Sequence, residues 1–123
     1  MIFDHIGLST SDLARSRAFF CQALAPLGIG VVMEFPGTVG LGSDGRAQLW
    51  LGEHEGQTSS AHLAFVASDR MQVDAFHRAA LAAGATDNGA PGIRAHYHAD
   101  YYAAFVISPD GHNIEAVCRR AEG

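Results

Sequence analysis

His5, His62 and Glu115 are the side chains in this sequence whose types could do chemistry together. Glu115 lies in Asn113-Ile114-Glu115-Ala116-Val117-Cys118, just after a turn at Pro109-Asp110-Gly111. Proline presets one turn dihedral and glycine accepts a positive φ, so the segment reads as a hairpin running into a strand. Along that strand Asn113, Glu115 and Val117 face one way, and Ile114 and Ala116 the other. A carboxylate among apolar neighbours is unfavourable unless it is paired, hydrogen-bonded or bound to a metal. Two imidazoles and a carboxylate on one face make a facial triad that holds a divalent ion and leaves positions open for substrate or water. The expectation is therefore that His5, His62 and Glu115 are metal ligands.

The elements that must position them form a repeat. A strand over Ile2 to Ser9 places His5, Gly7 and Ser9 opposite Ile6 and Leu8. Ser11 or Asp12 caps a helix to about Leu24, with Leu13, Phe20, Leu24 and Leu27 on one face. Pro26 and Gly28 stop it, and three short strands follow near Ile29 to Phe35, Thr38 to Gly42 and Ala47 to Leu51. The pattern restarts with a strand over Ser60 to Ala67 carrying His62, opposite Leu63 and Phe65. Ser68 or Asp69 then caps a helix to about Ala83, which Gly84 ends. A Gly/Pro-rich stretch from Asn88 to Gly92 precedes a strand near Ile93. His5 to Asp12 spans seven residues, as does His62 to Asp69, and each half ends in a hairpin at Asp-Gly. The reading is one α+β domain over 1–123 built of two βαβββ modules, about 1–53 and 60–118, joined by a polar linker at 54–59. Each module leaves one sheet face uncovered, so the sheets should curl around a shared cleft lined by His5, His62 and Glu115.

Composition removes several classes. The chain is 48% hydrophobic and 17% charged, the profile of a globular protein. A net charge of -5 argues against nucleic acid. The sequence contains no lysine, which excludes a lysine Schiff base and a lysine clamp on phosphate. Cys21 and Cys118 read as buried thiols rather than a disulfide framework. No apolar run approaches the roughly 20 residues of a membrane span, and no leader pattern opens the chain, so a cytoplasmic location is expected. His54, His77 and His112 read as surface residues.

The segment His96-Tyr97-His98-Ala99-Asp100-Tyr101-Tyr102 enters the hairpin with hydrogen-bond donors and ring faces suited to an organic substrate. Tyr101 or Tyr102 is a candidate acid or donor, and His96 and His98 are candidate substrate contacts. Trp50 is split between cleft lining and core.

The runs Phe3-Asp4-His5-Ile6-Gly7-Leu8, Asp12-Leu13, Arg15-Ser16, Phe19-Phe20, His62-Leu63-Ala64-Phe65 and Asp110-Gly111-His112-Asn113-Ile114-Glu115 resemble the vicinal oxygen chelate superfamily. This superfamily comprises glyoxalase I, bleomycin-resistance proteins, extradiol dioxygenases and fosfomycin-modifying enzymes. The resemblance covers nearly the whole chain and implies paired βαβββ modules, often a homodimer, with a divalent metal ion (zinc, nickel, manganese or iron) in the cleft. His5, His62 and Glu115 fall on three of the usual ligand positions. The fourth glyoxalase ligand, a glutamate, falls in Gln48-Leu49-Trp50-Leu51, where only Gln48 can coordinate. Counting from each Asp-Gly aligns Glu115 with Leu49, and a one-residue slip gives Gln48 or Trp50. The tyrosine typical of extradiol enzymes is replaced by Phe105, and the fosfomycin enzymes' threonine by Gly7. What the resemblance implies is a small metal-dependent lyase or isomerase that chelates vicinal oxygens of a small organic substrate, with Glu115 and Tyr101 or Tyr102 moving protons and Gln48 and Trp50 lining the cleft. A metal-free ligand-sequestering protein and an extradiol-type dioxygenase are the alternatives.

Overall fold

A computed structural model describes residues 3–54 and 60–121. The expected strand start at Ile2 and most of the linker lie outside them. The order is β1 (Ile6–Thr10), α1 (Leu13–Leu24), a 3-10 turn (Ala25–Leu27), β2 (Gly30–Phe35), β3 (Thr38–Ser43) and β4 (Arg46–Glu53). The second half repeats it as β5 (His62–Val66), α2 (Arg70–Ala82), β6 (Thr86–Ile93), β7 (Tyr102–Ile107) and β8 (Asn113–Cys118).

Both helices start where an aspartate can cap them. Asp12 accepts from the Arg15 amide at 3.1 Å and Asp69 from the Gln72 amide at 2.8 Å, each satisfying an amide that the first turn leaves free. Gly28, at φ 79°, closes the turn after α1 in the left-handed conformation. Phe19, Phe20, Ala23 and Leu24 of α1, with Val73, Phe76 and Ala80 of α2, are fully buried. They join Leu8, Leu41, Leu51, Val106, Ile114 and Ala116 in one apolar cluster fed by both modules. Ile114 and Ala116 thus face the helices, which turns Asn113, Glu115 and Val117 to the open face.

The strands form two four-stranded sheets, β1-β4-β3-β2 and β5-β8-β7-β6, one per module, as the α+β reading of two βαβββ modules expects. In each, the first strand runs parallel to the last and the others are antiparallel. β1 and β5 are edge strands with no backbone ladder between them. The modules are tied instead through packed helices and through Asp110, whose carboxylate accepts from Thr10 Oγ1 at 2.9 Å and from Ser16 Oγ.

Three expectations need correction. The Gly/Pro stretch is part of β6, an edge strand that tolerates Pro91 and takes up its irregularity in register shifts at Gly89. His77 is buried with Nε2 2.9 Å from Asp87 Oδ1. His112 is also buried, its Nδ1 accepting from the Ala61 amide at 3.0 Å. Cys21 and Cys118 are free thiols, the first half-buried and the second buried. No helix among the described residues is long and apolar enough to cross a membrane.

Candidate active site

Glu115 is 2% exposed although it stands on the open face. Its cross-strand neighbours are Ala64 on β5 and Phe105 on β7. His62 precedes Ala64 by two residues, so it sits diagonally across the β5–β8 ladder, within reach of a long side chain. Its Nε2 lies 2.8 Å from Glu115 Oε1, and its side chain is 54% exposed. The other carboxylate oxygen, Oε2, accepts from the Tyr101 hydroxyl. The carboxylate that the sequence leaves unexplained is thus satisfied by an imidazole and a phenol.

Tyr101 is placed by the turn before β7. The Arg94 amide donates to the Tyr101 carbonyl at 2.7 Å, and the Tyr101 amide to the His98 carbonyl at 3.1 Å. Its ring packs with Tyr97 at 5.0 Å between centroids, and the Arg119 guanidinium lies 4.9 Å from the ring centre. Burial, reinforced by its bond to Glu115, pushes the Tyr101 hydroxyl up to about 12, so it is a proton donor throughout the physiological range. Phe105 packs beside His62 at 6.2 Å between ring centres, and the Arg94 guanidinium lies 5.3 Å from the Phe105 ring centre.

The remaining candidates are dispersed. Tyr102 points to the helix side, donating to Asp74 Oδ1 of α2 at 2.6 Å, which raises its pKa and removes it from the cleft. His96 and His98 stand exposed in the turn; His96 packs on Tyr97, and His98 Nδ1 accepts from the Asp100 amide at 3.0 Å. His5 precedes β1 and is bonded through Nδ1 to Asp4 Oδ1 at 2.8 Å. Among the described residues no three His, Cys, Asp or Glu side chains are placed to hold a metal ion.

The ladder also settles which residue of module 1 matches Glu115. Glu115 pairs with Ala64, two beyond His62; Trp50 pairs with Gly7, two beyond His5. Module 1 therefore carries an indole where module 2 carries its carboxylate. Gly40 makes room for it, since a Cβ there would lie 2.9 Å from the Trp50 ring. Phe35 stacks on Trp50 at 6.3 Å and 20° between planes. His5, Thr38, Trp50 and His54 line an open depression of about 490 Å³ on this face, whereas Gln48 is exposed and belongs to a different cavity. Arg94 and Arg119 were not singled out from the sequence. Alternation marks Arg119, two beyond Val117, as sharing the face of Glu115, while no pattern marks Arg94.

A model of the glyoxalase/bleomycin resistance protein/dioxygenase superfamily matches residues 2–116. The chain belongs to that superfamily. A glyoxalase/bleomycin resistance protein from Albidiferax ferrireducens is 30% identical, with TM-score 0.79 over 98% of this chain and 100% of that one. A glyoxalase/bleomycin resistance protein/dioxygenase family enzyme from Burkholderia phytofirmans is 24% identical, with TM-score 0.76 over 95% of this chain and 98% of that one. A lactoylglutathione lyase from Agrobacterium tumefaciens shares the fold at 19% identity, with TM-score 0.69 over 96% of this chain and 92% of that one. No curated protein sequence matches. Among these superfamily relatives, this chain is a two-module member with an imidazole–carboxylate–phenol group on one module and a stacked Trp50–Phe35 pair on the other.

Proposed function

We propose that the chain is a small enzyme of the glyoxalase-like class, with His62 as general base on a small organic substrate bearing adjacent oxygen atoms. The observation that supports this is a buried carboxylate bonded to a half-exposed imidazole on an open sheet face. Glu115 accepts the Nε2 proton, so Nδ1 keeps the lone pair and is the atom able to take a proton. A proton next to a substrate carbonyl passes to Nδ1, and the electrons of the broken C–H bond move into the carbonyl as an enolate. Glu115 stabilises the imidazolium that forms, and the Tyr101 hydroxyl holds Glu115 in line. The proton of the substrate's adjacent hydroxyl passes to the enolate oxygen, and return of the Nδ1 proton to the former carbonyl carbon completes an isomerisation to the hydroxycarbonyl isomer. Trp50 and Phe35 offer a ring surface for the substrate body, with His96 and His98 as further contacts.

A divalent ion held by His5, His62 and Glu115 does not fit a single chain. Both Glu115 oxygens are engaged, and His5 is bonded to Asp4. A second reading supplies His5 from another copy of the chain in a cytoplasmic homodimer, and it is favoured by the equivalent places of His5 and His62 in the two ladders.

The test follows deuterium exchange at carbon acids next to a carbonyl, using hydroxyketones and glutathione hemithioacetals, alongside elemental analysis and sedimentation. Exchange by metal-free protein that is lost in His62→Ala supports the first reading. A metal-loaded dimer that loses its ion in His5→Ala supports the second. Saturable ligand binding with no exchange, with or without added zinc, overturns both in favour of a sequestering protein.

A further inference from the structure

The residues of module 1 that the proton transfer leaves unused meet at the seam between the two sheets. Between edge strands β1 and β5 opens a cavity of about 240 Å³. Its walls include Ile29, Leu41, Leu49, Leu63 and Phe65, all within or packed against the apolar core. It runs from that core out to the surface between the two edge strands, where Asp4, His5, Ala64 and Val66 border it. An apolar cavity of about 150 Å³ stays dry and takes up benzene. This one is larger and opens to the surface, with apolar inner walls. The polar lining is confined to Asp4, His5, Ser43 and Gln48.

The hydrogen-bonding sense of that polar rim is fixed. An ionised carboxylate only accepts, so the 2.8 Å contact to Asp4 Oδ1 places the His5 proton on Nδ1 and leaves Nε2 an acceptor. Gln48 brings two amide donors. An acceptor and a donor lining one cavity match a hydroxyl group, which gives one proton and receives one. Asp4 disfavours an anionic head, and Arg46, 3.9 Å from Asp4, disfavours a cationic one.

We propose that the seam cavity binds a small neutral phenol or aromatic alcohol, its ring between the Leu49 and Leu63 walls and its hydroxyl between His5 and Gln48. Neither His62 nor Glu115 lines this cavity, so the site stands or falls apart from the proton-transfer reading.

The probes are 2-naphthol and naphthalene, titrated into the full chain by calorimetry and by fluorescence of the naphthol. One saturable site is expected for each. Gln48→Leu, an exposed substitution that leaves the core intact, should weaken 2-naphthol about three- to tenfold and leave naphthalene unmoved. Leu63→Trp, which fills the cavity, should weaken both at least tenfold, with a circular-dichroism melt checking that it folds. The proposal is overturned by absence of saturable uptake, by uptake indifferent to Gln48→Leu and Leu63→Trp alike, or by uptake abolished in Glu115→Gln.

Discussion

Replacing Tyr101 by phenylalanine removes one oxygen and keeps the ring, with its packing against Tyr97 and Arg119. What is lost is the hydroxyl that donates to Glu115 Oε2. Glu115 is 2% exposed and Tyr101 9%, so water has little access to replace that donor. A hydrogen bond to a charged group contributes about 1.5–3 kcal/mol, and the full figure applies where the partner stays buried and unsatisfied. We expect Tyr101→Phe to lower stability by about 2 kcal/mol at neutral pH, or by about 8 °C in Tm for a chain of this size. Urea denaturation gives the first number and a thermal melt the second. The cause is isolated by repeating the substitution in a Glu115→Leu background, where no carboxylate is left to satisfy. There Tyr101→Phe should be neutral to within about 0.5 kcal/mol. An equal loss in both backgrounds would refute the argument, because the hydroxyl would then be acting on something other than Glu115.

Asp110→Ala removes the acceptor for Thr10 and the buried Ser16, and should cost about 2–3 kcal/mol by urea denaturation. The exposed Arg17–Glu34 pair, at 2.8 Å, is the control, and Glu34→Ala should cost less than about 1 kcal/mol. In alkali, the Tyr101 hydroxyl titrates higher in the folded chain, at about 12, than the 10.0 of an ordinary tyrosine. A raised folded pKa contributes stability that is whole below the unfolded value, so this contribution should be intact to about pH 10 and lost between there and about pH 12. Tyrosinate absorbance checks it: Tyr101→Phe should delete one late-titrating phenol and flatten the fall in stability over that window.

The helices, their caps and the two-module order were legible because they rest on local signals: Asp12 and Asp69 before an apolar stripe, and Gly28 after it. The partner of Glu115 was half legible. His62 is on a strand, so alternation governs where its ring points. His5 lies just before β1, where no ladder fixes its direction, and its ring turns to the neighbouring Asp4. The match between Glu115 and Trp50 was hidden by the hairpins. β4 carries one extra residue, Gln48, between its pairings Gly42–Ala47 and Leu41–Leu49, and β8 pairs with β7 without such a shift, so counting from each Asp-Gly misses by one. His77 and His112 carry letters typical of a surface, and only the fold supplies Asp87 and the Ala61 amide that let them be buried. The greater part of β6, before the strand expected near Ile93, escaped notice because glycine and proline weaken a strand in general, and only its edge position makes them tolerable.

The exchange of an indole for a carboxylate at matching rungs makes the molecule's twofold likeness a starting point for building. Trp50→Glu would set an acid diagonal to His5, as Glu115 stands to His62. Yet Tyr101 precedes Glu115 by fourteen residues, and the residue fourteen before Trp50 is Pro36. The transplanted acid would lack a phenol to anchor it, so copying the chemistry into the first half takes two changes rather than one.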